Sequence, residues 1–257
     1  MKTSGKWISA VLGLLSLPRN SSYSSCSSHS ASAVVGKGDY VVLLHGLGRT
    51  AFSMKRLECF LAGNGYRVIN VSYHSRRCSI GQLAECYLRP LIEQRITDRN
   101  VKVHFVTHSL GGIILRQYLA NHSAPNLGRV VMLGPPNHGS EIIDQLRANP
   151  LTREFLGASA RELGTSPADL PNRLGPIPIE CGIIAGDLSP NPLLSAHLPG
   201  ASDGKVTIAS AKLAGMRDFL VVHSSHTWLA WRERTLRQTL CFLNSGRFDH
   251  QQQQSCN

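Results

Sequence analysis

The 257-residue sequence predicts an α/β fold: a mostly parallel central sheet flanked by helices, with a helical cap insertion. Three observations carry that expectation. Runs such as Tyr40-Val41-Val42-Leu43-Leu44 and Arg129-Val130-Val131-Met132-Leu133 lack polar alternation, as strands buried on both faces do. Stretches with apolar residues at helical spacing separate these runs, and a β-α-β-α order calls for a parallel sheet. Residues 101–118, VKVHFVTHSLGGIILRQY, run from β-type sequence through a glycine-rich turn directly into a helical pattern, with Ser109 at the apex.

Along the chain, residues 39–44 form the first strand and end in His45-Gly46-Leu47-Gly48-Arg49-Thr50. A helix is expected over residues 52–62, closed by Gly63 and Gly65, and a second strand over residues 67–73. Ile80, Leu83, Ala84, Tyr87, Leu88, Leu91 and Ile92 then recur at helical spacing behind a Ser79 N-cap, with Pro90 predicting a kink or two short helices. After the serine turn, Ile113, Ile114, Tyr118 and Leu119 face the core. The strand ending at Gly134 leads into residues 141–178, too long for a minimal crossover, whose short amphipathic stretches suit a cap over a site. Residues 183–187 resume the sheet, residues 219–222 make the last strand, and a closing helix runs from Trp228 to about Leu243. Residues 249–257 read as a polar tail.

Composition narrows the function classes. With 42% hydrophobic and 17% charged residues, one sizeable core and one catalytic domain, residues 34–248, are expected. The net charge of +11 is spread along the chain rather than clustered, which argues for a solvated surface and against nucleic-acid binding, and leaves attraction to an anionic membrane surface open. Lys2 and Lys6 precede an apolar block over residues 7–17, too short to span a bilayer but suited to a signal peptide, and residues 20–33 form a Ser-rich linker. Export to the periplasm or medium is the expectation, with an uncleaved, membrane-proximal N-terminus as the alternative. The seven cysteines lack paired spacing, so an exported chain could form disulfides of unreadable partnership. His74, Cys78 and Cys86 lack a zinc site's short spacing; no metal, cofactor or obligate protein partner is expected.

A serine hydroxyl attacks a carbonyl only with a base to take its proton, and that imidazole needs a carboxylate to fix its tautomer. Ser109 followed by an acid and then a histidine is one of the chain orders such triads use. Asp203, in Asp203-Gly204-Lys205-Val206, is the preferred acid because a following glycine lets the loop turn tightly; Asp187, directly after a strand, is its rival. His226, beyond the last strand, is preferred to His223 at the strand's end. The N–H groups of Leu47, in a turn that could also be purely structural, and of Leu110, after the serine, are the candidate oxyanion donors. His45, His108 and His138 stand near the pocket as structural histidines.

LLHGLGRT, THSLGGI, GPPNHGSE, the Leu-Gly-Thr and Leu-Pro-x-x-Leu-Gly pieces of the insertion, GIIAGD, SDGKV and SSHTWL together resemble the bacterial lipase-like α/β-hydrolases, small serine esterases and lipases, over about residues 38–248. The resemblance implies the α/β-hydrolase fold and carboxylic-ester hydrolysis, with Ser109, Asp203 and His226 as the triad and a small-molecule ester or lipid as substrate. Thr107 stands where the serine turn's first glycine usually is. A thioesterase, amidase or acyltransferase on the same triad is the neighbouring reading; a catalytically idle lipid-surface binder is the distant one.

Overall fold

The computed structural model describes residues 38–123, 126–191 and 198–251. The apolar block and Ser-rich linker near the N-terminus, and all of the polar tail beyond Gln251, lie outside them. Six strands, β1 Tyr40–Leu44, β2 Arg67–Asn70, β3 Val103–His108, β4 Leu127–Leu133, β5 Cys181–Gly186 and β6 Asp218–Val222, form one sheet in the order β2-β1-β3-β4-β5-β6. Every neighbouring pair is parallel. The chain leaves β1 for the β2 edge and returns to β3 on β1's other side. The strand order therefore reverses between β1 and β3, and in open α/β sheets the crevice beyond the strands' carboxyl ends at such a point takes ligands.

The unbroken apolar runs are explained by two cores. Val42 and Leu44 join a cluster on one face with Phe105, Ile113, Ile114 and Tyr118. Val41 and Leu43 point to the opposite face, where Leu57, Leu61, Leu236 and Phe242 cover them. The first cluster is roofed by the helix α4 Leu110–Asn121, the second by α1 Lys55–Gly63 and α9 Glu233–Ser245.

Three elements depart from the sequence expectation for identifiable reasons. β2 stops at Asn70 rather than reaching Tyr73, because the Tyr73 N–H turns to the His45 ring instead of the strand ladder. Before Pro90 the chain neither breaks nor makes two separate helices: α2 Ile80–Leu83 and α3 Arg89–Arg95 are joined by a π turn, Ala84–Leu88, in which the Arg89 N–H reaches back to Ala84 O. Pro90 lies directly after the π turn, which accommodates a residue that has no N–H to give to the preceding turn. The closing helix is two pieces, a 3₁₀ turn His226–Trp231 and α9 from Glu233, so Trp228 is not on α9's buried face and is 46% exposed.

The long insertion folds as α5 Glu141–Ala148, α6 Pro150–Arg153, a 3₁₀ turn Ala160–Glu162 and α7 Leu170–Arg173. Its far end is tied to α4 by Arg116, a buried arginine whose guanidinium donates to Asn137 O, Pro171 O, Leu174 O and Gly175 O at 3.0, 3.0, 2.6 and 3.2 Å. The remaining short helix is α8, Ile208–Ala211, capped by the Thr207 side chain. Among the described residues no helix is long and apolar enough to cross a membrane. Cys78, Cys86, Cys181 and Cys241 are free thiols.

Candidate active site

Ser109 sits between β3 and α4 with φ 53° and ψ −121°, a left-handed conformation strained for any residue but glycine. The strain is held from both sides: the Ser109 N–H still donates to Leu133 O at 2.9 Å, and the Gly112 N–H already donates to Ser109 O at 3.0 Å. The turn is also pressed against β1. A Cβ on Gly111 would lie 2.5 Å from Leu44 O, so only glycine fits there. Thr107, the residue replacing the usual glycine, is fully buried, and the space it needs is provided by Gly112, where a Cβ would lie 3.3 Å from Thr107 Oγ1.

His226 Nε2 is 2.9 Å from Ser109 Oγ, and His226 Nδ1 is 2.7 Å from Asp203 Oδ2. Both partners of that second contact are buried. The acid is aimed by its own loop: Gly204 has φ 92°, and the turn brings the Lys205 and Val206 N–H groups onto Asp203 Oδ1 at 3.0 and 2.9 Å. The His226 N–H donates to Asp203 O, and His226 O accepts from His108 Nε2 at 2.9 Å, so the base is gripped by backbone as well as side chain. Since a carbonyl only accepts, His108 carries its proton on Nε2; burial, then the nearby His226, keep that ring neutral. Asp187 is elsewhere, its Oδ1 3.0 Å from His223 Nδ1 in a surface pair whose histidine side chain is 76% exposed. His138 is exposed and meets Asn172.

Leu47 shares a cavity with Ser109, His108 and His226. Its peptide is fixed by the residue before it. His45 Nε2 accepts from the Tyr73 N–H at 3.2 Å, so its proton is on Nδ1, which donates to Gly46 O at 2.9 Å. The His45 ring is stacked on Tyr73 with centroids 3.8 Å apart, and the Tyr73 hydroxyl donates to His45 O. In a trans peptide the C=O and N–H point opposite ways, so holding Gly46 O sets where the Leu47 N–H aims. The Leu110 N–H, first in α4, is among those with no intrahelical acceptor.

Burial lowers His45 to about 4 from its ordinary 6.5. Between those values the unfolded chain binds a proton that the folded chain does not. Stability attributable to His45 is therefore complete above pH 6.5 and is lost as pH falls toward 4, by about 3 kcal/mol. Urea titrations at pH 7 and pH 4.5 should show His45→Gln losing less stability on acidification than the parent; an equal loss would refute the buried neutral ring.

The cavity measures about 410 Å³. One side is apolar and comes from the insertion: Ile142, Ile143, Leu146, Leu156, Ala160 and Leu163. Leu151 and Phe155 extend it outward and are 66% and 64% exposed. Arg49, Arg76 and Lys205 also line the cavity, and the Arg76 guanidinium donates to Phe155 O of the insertion at 2.7 Å. Burial, then the charge of Arg49, lowers Lys205 to about 8, and burial also lowers Arg49. Neither Arg49 nor Lys205 was singled out in the sequence; only the fold brings them to Ser109. Among the described residues no group of three or more His, Cys, Asp or Glu could hold a metal.

The profile of the alpha/beta hydrolase family matches residues 41–241. Among solved structures, the chain is similar to the mature lipase BlEst2 of Bacillus licheniformis, at 19% identity and TM-score 0.66, over 84% of this chain and 96% of that one. It is also similar to the esterase EaEST of Exiguobacterium antarcticum, at 20% identity and TM-score 0.57, over 82% and 94%. A third is the RedJ thioesterase of the prodiginine biosynthetic pathway in Streptomyces coelicolor, at 15% and 0.53, over 89% and 97%. Likeness at these identities is one of fold. No curated protein matches the sequence.

Proposed function

Because the chain belongs to the alpha/beta hydrolase family, we propose that it is a serine hydrolase of carboxylic esters with hydrophobic acyl groups. Ser109 is the nucleophile, His226 the general base and Asp203 the acid that orients it. The single observation that carries this reading is the unbroken line from Ser109 Oγ through His226 to Asp203 Oδ2. The lipase and esterase among the similar folds, and the apolar wall of the cavity, agree with it.

In the proposed reaction, Ser109 Oγ bonds to the ester carbonyl carbon while His226 Nε2 takes its proton. Negative charge gathers on the carbonyl oxygen against the N–H groups of Leu47 and Leu110, which are already oriented and need not reorganise. The C–O bond then breaks, and the alcohol departs with the proton from His226. Water, deprotonated by the same imidazole, attacks the acyl-serine and releases the acid, returning the proton to Ser109. Asp203 keeps the proton of the neutral ring on Nδ1, which leaves Nε2 free to accept.

A fluorophosphonate probe tests the reading directly. A single adduct on the peptide containing Ser109, absent from Ser109→Ala, is the expected outcome. Folded protein that takes up no probe would sink the proposal in favour of a non-catalytic lipid-surface protein.

A further inference from the structure

The cavity's lining calls for two chemistries in one ligand. A hydrocarbon chain satisfies the insertion's apolar side chains, but nothing apolar satisfies the cations beside them. Among the described residues the lining includes three cationic side chains, Arg49, Arg76 and Lys205, and no aspartate or glutamate. Their positions relate them to the reacting centre. Arg49 lies two residues beyond Leu47 and its Nη2 donates to Thr227 Oγ1, next to His226, at 3.3 Å. Lys205 lies two residues beyond Asp203, and its own N–H is one of those bound to that carboxylate. Arg76 belongs with the insertion: its backbone oxygen accepts from the Ala158 N–H and its guanidinium donates to Phe155 O at 2.7 Å.

Arg49 and Lys205 are close enough to act on each other and on His108, and Asp203 offsets part of the repulsion at Lys205. Two like charges in a partly desolvated cleft repel and lose hydration; a bound anion reverses both costs. A neutral ester adds no charge to meet the two cations, whereas a phosphate offers several acceptor oxygens to guanidinium and ammonium donors at once. A carboxylate product could also meet them, but it forms only after the leaving group has gone, while the cations line the site beforehand.

Resting on the ester-hydrolase reading, we infer that Arg49 and Lys205 form a headgroup subsite for a phosphate on the alcohol side of the ester. The substrates are then acylglycerol phosphates and related anionic phospholipids rather than neutral glycerides. The acyl chain lies along the insertion, the carbonyl meets Ser109, and the phosphate, a glycerol's length away, meets the cations.

The test compares 1-hexanoylglycerol 3-phosphate with 1-hexanoylglycerol, both as monomers below micelle formation so that no charged interface contributes. The expected preference in kcat/KM is about tenfold or more for the phosphate, as for a charge-assisted bond. It should shrink severalfold in Lys205→Met and in Arg49→Met, taken as the ratio within each variant. No preference in the parent protein, or the same ratio in both variants, overturns the subsite. A second arm separates it from the ester-hydrolase reading: calorimetry on Ser109→Ala with the non-hydrolysable 1-hexylglycerol 3-phosphate and 1-hexylglycerol. Preferential binding of the phosphate ether with neither ester turned over would leave the subsite standing and remove the hydrolase; turnover of both esters with equal ether binding would do the opposite. Inorganic phosphate is the third arm. Binding as tight as the phosphate ether's would make this a free-anion site and overturn the headgroup assignment, and much weaker binding supports it.

Discussion

Asp203→Asn is expected to lower turnover of a carboxylic ester about 10⁴-fold, the scale of acid-to-amide exchange in serine triads. The loss follows from what each oxygen of Asp203 meets. Oδ1 takes the N–H groups of Lys205 and Val206, so an asparagine placed there keeps its carbonyl oxygen toward them. Its NH₂ is then turned toward His226 Nδ1 and stabilises the ring with its proton on Nε2. A ring protonated on Nε2 cannot accept the proton of Ser109. Asp187→Asn disturbs only an exposed pair with His223, and a change of no more than about twofold is expected. Saturating kinetics on one chromogenic ester decides the matter, and a reversed ranking would transfer the acid's role to Asp187.

Arg116→Met should lower thermal stability by about 3 kcal/mol or more, because several buried carbonyls lose their donor at once. For a chain of this size that is about 10 °C in melting temperature. The carbonyls of Pro171, Leu174 and Gly175 belong to the end of the insertion and that of Asn137 to the loop after β4, so the defect should be local as well as global. Hydrogen exchange over residues 165–178 should speed up more than exchange in β3 and α4. Burial has already lowered Arg116 to about 10, and it stays charged at neutral pH, held by neutral acceptors. Melting unchanged within 2 °C would show those bonds to be dispensable.

Much of the fold was legible because its signals are local. Six apolar runs mark six strands, Ser109 and His226 follow closely on two of them, and Asp203 is marked by the glycine turn after it. The structure brings these three together and leaves Asp187 apart, as glycine chemistry at Gly204 suggests. What stayed illegible depends on distant neighbours. A scattered excess of arginine reads as solvated surface, yet Arg116 is buried, and only the fold shows the carbonyls around it. Arg49 and Lys205 come from loops 156 positions apart in sequence and meet only at the sheet's end. The tautomer of His45 follows from Tyr73, on a stretch that looked like continuing strand. Thr107 looked like a missing glycine until Gly112 proved to supply the room.

The contact between Gly111 and Leu44 O couples two pieces of chain that otherwise have separate histories. Leu44 is the residue before the His45-Gly46-Leu47 turn, and Gly111 follows Leu110. The gap between the two proposed oxyanion donors is thus gauged by backbone resting on backbone, while the His45 side chain sets the aim of one of them. The apolar lining of the cavity and the spacing of the proposed donors thus have different material origins, side chains of the insertion for one and a main-chain contact for the other.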